Sequence, residues 1–242
     1  MKSYFIDDNG VKIHVLEEGS VSVDTPTLLV VCGIWEPAER AIPVLSGLSS
    51  HVVSFSFRGR GLSSTPEFGY DLEEHLSDIE AVVDALKLEK YCILGFSRGA
   101  SYAWGWTVKH HNEMSGLIIV DQPPIHRAMH ADAVPYWMGM VYQGVPLLNY
   151  MRQEAVEGLA REARTVEFAD QLCDINIPVR VFYGADQSNK IPSNLEREDI
   201  DLYESALTYF SKVEFSKSGH MIPDDEPERY IEEVKLFLGA IQ

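Results

Sequence analysis

From Thr27 onward the chain alternates between two patterns. Short apolar runs appear as Leu28-Leu29-Val30-Val31, His51-Val52-Val53-Ser54-Phe55, Tyr91-Cys92-Ile93-Leu94, Leu117-Ile118-Ile119-Val120, Val179-Arg180-Val181-Phe182-Tyr183 and Lys212-Val213-Glu214-Phe215. They read as buried parallel strands. Between them lie helical stretches: Glu36–Leu48, Tyr70–Leu88, Ser97–His111, Asp199–Phe210 and Pro227–Ile241. In the second of these, Leu72, Leu76, Ile79, Val82, Val83 and Leu86 recur at the spacing of one helix face. Strand and helix in repeated succession predict an α/β fold, a doubly wound and mostly parallel sheet with helices on both faces. The one clear antiparallel signal is at the start. There Tyr4-Phe5-Ile6 and the alternating Val11, Ile13 and Val15 flank an Asn9-Gly10 turn of the hairpin type.

The rhythm breaks between Val120 and Val179. Residues 121–178 are far more than one crossover helix requires, and they predict an inserted helical cap on a core made of 1–120 and 179–242. Met129–Met151 is crowded with Met, Trp, Tyr and Leu, whereas Arg152–Glu167 alternates Arg and Glu like a solvated helix face. A lid with one apolar side is the expectation.

Composition narrows the partners. Thirty-seven acidic residues against 20 basic give a net charge of −17, which repels phosphate backbones and anionic lipid surfaces, so nucleic acid is not expected. The three cysteines, Cys32, Cys92 and Cys173, have no CxxC spacing and imply neither a disulfide framework nor a zinc site. No apolar stretch reaches the ~20 residues of a membrane span, and the first residues break into Asp7-Asp8 too early for a signal peptide. These features lead us to expect a cytoplasmic protein, monomer or homodimer, acting on a small molecule without a metal or cofactor. Gly59-Arg60-Gly61 is no dinucleotide fingerprint, and His126 and His130 lack a third ligand nearby in sequence.

The sharpest local signal is Gly95-Phe96-Ser97-Arg98-Gly99, which follows a predicted strand and opens a predicted helix. In that setting a tight turn thrusts the serine above the sheet, and glycines two before and two after leave room for backbone to meet backbone. A serine hydroxyl needs a base to attack a carbonyl. Of eight histidines, only His220 lies on a loop after a strand near the C-terminus, between Gly219 and a helix start. An imidazole can take the Ser97 proton and return it to a leaving group.

With these residues in view, the sequence resembles the α/β-hydrolase fold superfamily over essentially the whole chain apart from the cap. Val30-Val31-Cys32-Gly33-Ile34-Trp35 is similar to the strand that ends in His-Gly and an oxyanion loop, with Cys32 where many relatives have His. Phe57-Arg58-Gly59-Arg60-Gly61-Leu62-Ser63 resembles the Arg-Gly-x-Gly-x-Ser turn, and Gly219-His220-Met221-Ile222-Pro223 the histidine loop. The resemblance implies a triad in the order Ser, acid, His. Asp186, after the strand ending at Tyr183-Gly184, matches the usual acid loop but one residue early, and Asp121 is the alternative acid, used in some branches. It further implies an oxyanion hole from the backbone N–H groups of Ile34 and Arg98. Trp35, Arg98, Tyr136 and Trp137 are candidate substrate contacts. Arg98 resembles the Asp-Arg-Gly elbow of epoxide hydrolases and fluoroacetate dehalogenases; Ser101 stands where the latter carry a second arginine, and Ser97 replaces their aspartate nucleophile. Arg98 thus has two readings, recognition of a carboxylate or an ion pair with a core-edge acid.

The expected activity is a serine hydrolase that cleaves a small to medium carboxylic ester, thioester or lactone through an acyl-enzyme on Ser97. The same triad would serve a slow-turnover ligand receptor or signalling hydrolase, a C–C bond hydrolase or a cofactor-free peroxidase, and residue pattern does not separate these.

Overall fold

In a computed structural model that describes residues 1–241, the chain opens with a hairpin of β1 (Lys2–Asp8) and β2 (Val11–Glu18). Both turn residues, Asn9 and Gly10, have positive φ (50° and 90°), the backbone that a tight two-residue hairpin demands. There follow β3 (Thr27–Val31), α1 (Ile42–Gly47), β4 (Val52–Ser56), α2 (Leu72–Leu86), β5 (Tyr91–Phe96), α3 (Arg98–His110) and β6 (Met114–Val120). The helix predicted over Glu36–Leu48 is shorter: a 3₁₀ turn over Ala38–Ala41 precedes α1. Pro43 explains the break, because it has no N–H to donate and is tolerated only in a helix's first turn, where it sits in α1.

The inserted residues contribute no strand to the main sheet. They form β7 (Ile125–His126), α4 (Val134–Gly139), β8 (Val141–Tyr142), β9 (Val145–Pro146), α5 (Gln153–Glu162) and β10 (Val166–Glu167), with β7 paired to β10 and β8 to β9. Arg152–Glu167 does present a solvated face, with Arg152, Glu154, Glu157 and Arg161 exposed, but it is not solvated all round. Helix α5 is amphipathic and buries Ala155, Val156, Gly158 and Leu159. Its start is tied to the loop after β4, since Arg152 N donates to Gly59 O (2.8 Å) and Gly61 N to Tyr150 O (2.7 Å).

The chain then returns to the core as β11 (Val179–Gly184), α6 (Arg197–Ala206), β12 (Phe210–Phe215), α7 (Ile222–Asp225) and α8 (Pro227–Ala240). The main sheet has eight strands in the order β1-β2-β4-β3-β5-β6-β11-β12, parallel from β4 to β12. Strand β2 runs antiparallel to both of its neighbours.

Successive residues of the central strands fill opposite layers. Leu28, Val30, Leu94 and Ile118 join α1, α8 and the inserted segment on one face, while Leu29, Val31, Ile93 and Ile119 join α2, α3 and α6 on the other. Burial on both faces explains why these strands read as continuous apolar runs. Register then fixes the chemistry: Phe96 lies opposite Val120, so β5 and β6 end at one level, while β11, with Phe182 opposite Val120, runs two residues further. Ser97 and Asp121, the residues directly after, therefore leave adjacent strands side by side. Among the described residues, no helix is long and apolar enough to cross a membrane.

Candidate active site

Ser97 occupies a strained turn with φ 54° and ψ −128°, a conformation that costs a non-glycine residue roughly 1–3 kcal/mol. Backbone hydrogen bonds hold it there: Ser97 N donates to Val120 O (3.0 Å) and Ala100 N to Ser97 O (2.9 Å). The flanking glycines are sterically required. A Cβ on Gly95 would lie 2.6 Å from Ala100 Cα, and one on Gly99 would collide with the carbonyl oxygens of Val31 and Cys32.

His220 meets Ser97 as the sequence predicts, with Nε2 2.9 Å from Ser97 Oγ. The imidazole is fixed from three sides. Its backbone N donates to Ile191 O (2.8 Å), its ring stacks on Phe96 with centroids 5.1 Å apart, and its Nδ1 lies 2.6 Å from Asp121 Oδ2. With Nδ1–H donated to the carboxylate, the Nε2 lone pair is left to accept the Ser97 hydroxyl proton.

The acid against His220 is thus Asp121, and not Asp186, the acid expected first. Asp121 is fully buried and held by four donors. Gly184 N (3.4 Å) and the Ser193 hydroxyl reach Oδ1, while Asn194 N (2.8 Å) joins the imidazole at Oδ2. Its own backbone is left-handed (φ 53°), which aspartate tolerates better than most residues. Asp186 is spent locally, its Oδ1 accepting from Ser188 N (2.9 Å) and Ser188 Oγ (2.6 Å), and those bonds hold its carboxyl below the usual aspartate range. Coming one residue early, it turns with its own loop. The same loop sends Ser193 and Asn194 to Asp121, and no sequence motif advertised either.

The loop after β3 is braced by charged side chains that the sequence reading passed over. Glu36 Oε2 accepts from Gly33 N (2.9 Å), Arg60 Nε donates to Ile34 O (3.0 Å), and Arg40 bridges Glu36 (3.2 Å) to Asp224 (2.6 Å). The four-residue spacing of Glu36 and Arg40 was the available signal. Burial nonetheless pushes the Glu36 carboxyl upward, against the opposing pull of Arg40. Cys32 is equally buried, and its thiol is pushed up to about 12, so it supplies no nucleophile.

Ser97 and His220 open on a cavity of ≈ 520 Å³. Ser97, His220, Ile34 and Arg98 line it together with Trp35, Tyr136 and Trp137. Tyr136 stands at the mouth, 63% exposed, whereas Trp35 is buried against Tyr142 and Tyr150. Arg98 makes no ion pair with a core-edge acid: it donates to Tyr102 Oη (3.0 Å), Arg127 O (3.0 Å) and His126 Nε2 (3.2 Å). His126, weighed above as a metal ligand, is instead wholly buried between Arg98 and Ser101. Among the described residues, no group of three or more His, Cys, Asp or Glu could hold a metal ion.

Comparison with known proteins agrees with this architecture. The chain is 30% identical over 144 residues to N-formylmaleamate deformylase of Pseudomonas putida, a stretch covering 57% of this chain and 52% of that one. It is 26% identical over 119 residues to epoxide hydrolase B of Mycobacterium tuberculosis, covering 47% and 33%. The matches thus span a third to about half of the length of these curated relatives. Among solved structures, an esterase from Exiguobacterium antarcticum superposes with a TM-score of 0.80 at 19% identity, over 98% of this chain and 99% of that one. The N-formylmaleamic acid deformylase of Pseudomonas putida S16 gives 0.76 at 23%, over 96% and 100%. The family model of the alpha/beta hydrolase fold matches residues 31–157, from the end of β3 into α5. More than half of the sequence fits that model, and the sheet order and elbow follow suit: the chain belongs to the alpha/beta hydrolase fold family.

Proposed function

We propose that this protein is a serine hydrolase that cleaves a small to medium carboxylic ester, thioester or lactone through an acyl-enzyme on Ser97, with residues 121–178 as its cap. The observation that carries this reading is the unbroken relay from Ser97 Oγ through His220 (2.9 Å) to Asp121 (2.6 Å) at the wall of a cavity large enough for such a molecule.

In this mechanism His220 Nε2 takes the hydroxyl proton as Ser97 Oγ attacks the carbonyl carbon. Asp121 holds the tautomer and stabilises the imidazolium. Charge on the carbonyl oxygen is met by the backbone N–H of Arg98 and of Ile34. The first of these belongs to the opening residue of α3, whose N–H has no partner within its helix. Glu36 and Arg60 fix the loop that carries the second, in place of the histidine that Cys32 replaces. His220 then protonates the leaving alcohol or thiol, and water, deprotonated by the same imidazole, releases the acid and restores Ser97.

The test is Ser97→Ala assayed on short p-nitrophenyl esters, with labelling by a fluorophosphonate. Loss of both hydrolysis and labelling in a folded variant is the expected result. Undiminished turnover would reject Ser97 as the nucleophile.

A further inference from the structure

Arg98 is oriented without being neutralised. Three of its five N–H donors are taken, and every acceptor is uncharged: a tyrosine hydroxyl, a backbone carbonyl and an imidazole. The imidazole is kept neutral by its surroundings, because burial and the adjacent Arg98 charge push His126 down to about 3. Its tautomer follows: Nε2 accepts from Arg98, and Nδ1–H faces Ser101 Oγ at 2.9 Å, whose own proton goes to Arg98 O at 2.7 Å. The cradle thus fixes the guanidinium plane and leaves two N–H donors unspent.

Arg127 lines the same cavity, with its backbone carbonyl already on Arg98. Among the described residues, arginine ion pairs engage Arg40, Arg58, Arg161, Arg180, Arg197 and Arg229; Arg98 and Arg127 have none, and neither do Arg60, Arg152 and Arg164, which lie outside this cavity. In a chain of net charge −17, two arginines without a carboxylate on the wall that holds Ser97 stand out. The one carboxylate lining this cavity, Glu36, is committed to Arg40 and Gly33 N. A guanidinium with two free N–H groups matches a planar anion of two oxygens.

We propose that Arg98 and Arg127 form an anion subsite, so that the acyl compound hydrolysed at Ser97 carries a second, free carboxylate. This rests on the reading of Ser97 as the nucleophile. Trp35 and Trp137 line the same cavity and would flank the chain joining the two carbonyl groups.

The experiment compares p-nitrophenyl half-esters of adipic and pimelic acid with their methyl-capped counterparts, which replace the carboxylate by a neutral methyl ester on the same chain. We expect the wild type to favour the free acids at least about tenfold in kcat/KM, chiefly through KM, with the preference shrinking at about 0.5 M salt. Arg98→Met and Arg127→Met should bring that ratio towards one. A ratio is unaffected by a general loss of activity. Adipate should also protect Ser97 from the fluorophosphonate better than dimethyl adipate does, which serves if turnover is slow or a variant folds poorly. A labelled wild-type enzyme with no preference for the free acids and no protection by adipate overturns the anion subsite alone. A ratio unchanged in both variants does the same. Absence of labelling overturns the nucleophile assignment instead.

Discussion

Two segments follow neighbouring parallel strands, and each carries an acid in its first two residues, yet they are built in opposite ways. Residues 121–126, after β6, are buried at both ends: Asp121 is held by four donors and His126 is enclosed between Arg98 and Ser101. Residues 185–190, after β11, are half-buried to exposed, and Asp186 closes a small turn on Ser188. An exposed turn satisfies its carboxylate locally, with hydroxyl and amide donors two residues on. A buried carboxylate has to draw donors from elsewhere, and here they come from β11, the following loop and the histidine loop. An acid organised by distant elements is also one whose direction those elements control, and that is what orienting an imidazole requires.

The largest expected effect tests this contrast directly. Asp121→Asn should lower kcat by about 10³–10⁴, because the amide would no longer hold the tautomer that leaves Nε2 free to accept. A loss that size in Asp186→Asn, with Asp121→Asn near wild type, would reverse the roles.

Next in size is the acid response of the buried segment. Unfolded, the His126 imidazole takes a proton near 6.5; folded, burial and Arg98 delay it to about 3. Between those values the unfolded state binds more protons, so stability falls as pH drops. By about pH 5 this histidine alone should cost about 2 kcal/mol. His75, buried and also pushed down by burial and Arg60, adds in the same sense. Thermal melts at neutral and at acid pH should therefore show a fall in Tm that is smaller in His126→Asn; an equal slope in the variant would refute this account.

Smaller still is Ser193→Ala, which removes one of the four donors to Asp121 and should reduce kcat by about tenfold or less. The smallest is Asp186→Asn itself, with activity within about threefold and stability within about 0.5 kcal/mol of wild type, as expected for a half-exposed turn residue.

Much of this was legible in the chain. Apolar runs identified β3, β4, β5, β6 and β11, whose burial on both faces leaves little polar alternation to confuse with a helix, whereas β12, read as buried from Lys212-Val213-Glu214-Phe215, alternates and lies half-exposed at the sheet edge. Gly95 and Gly99 around Ser97 announced the elbow because only glycine fits where β5, α3 and the loop after β3 meet. His220 was marked by its position after a late strand. The helix of residues 36–48 was misjudged because apolar spacing outvoted Pro43, whose missing N–H forces a restart.

The acid was another matter. Asp121 and Asp186 both follow predicted strands, and a pattern read along one chain cannot say which carboxylate turns towards an imidazole 99 residues from Asp121. Strand order and register decide that: with β6 beside β5 and Phe96 level with Val120, Asp121 emerges next to Ser97. The neutral cradle around Arg98 is tertiary too, assembled from α3 and the first strand of the inserted segment. Local sequence determined which elements form and which residue is forced into a strained turn, because those depend on near-neighbour sterics and burial. Which side chains share a proton or a charge depends on distances of a few ångströms between remote segments, and only the packed sheet fixes them.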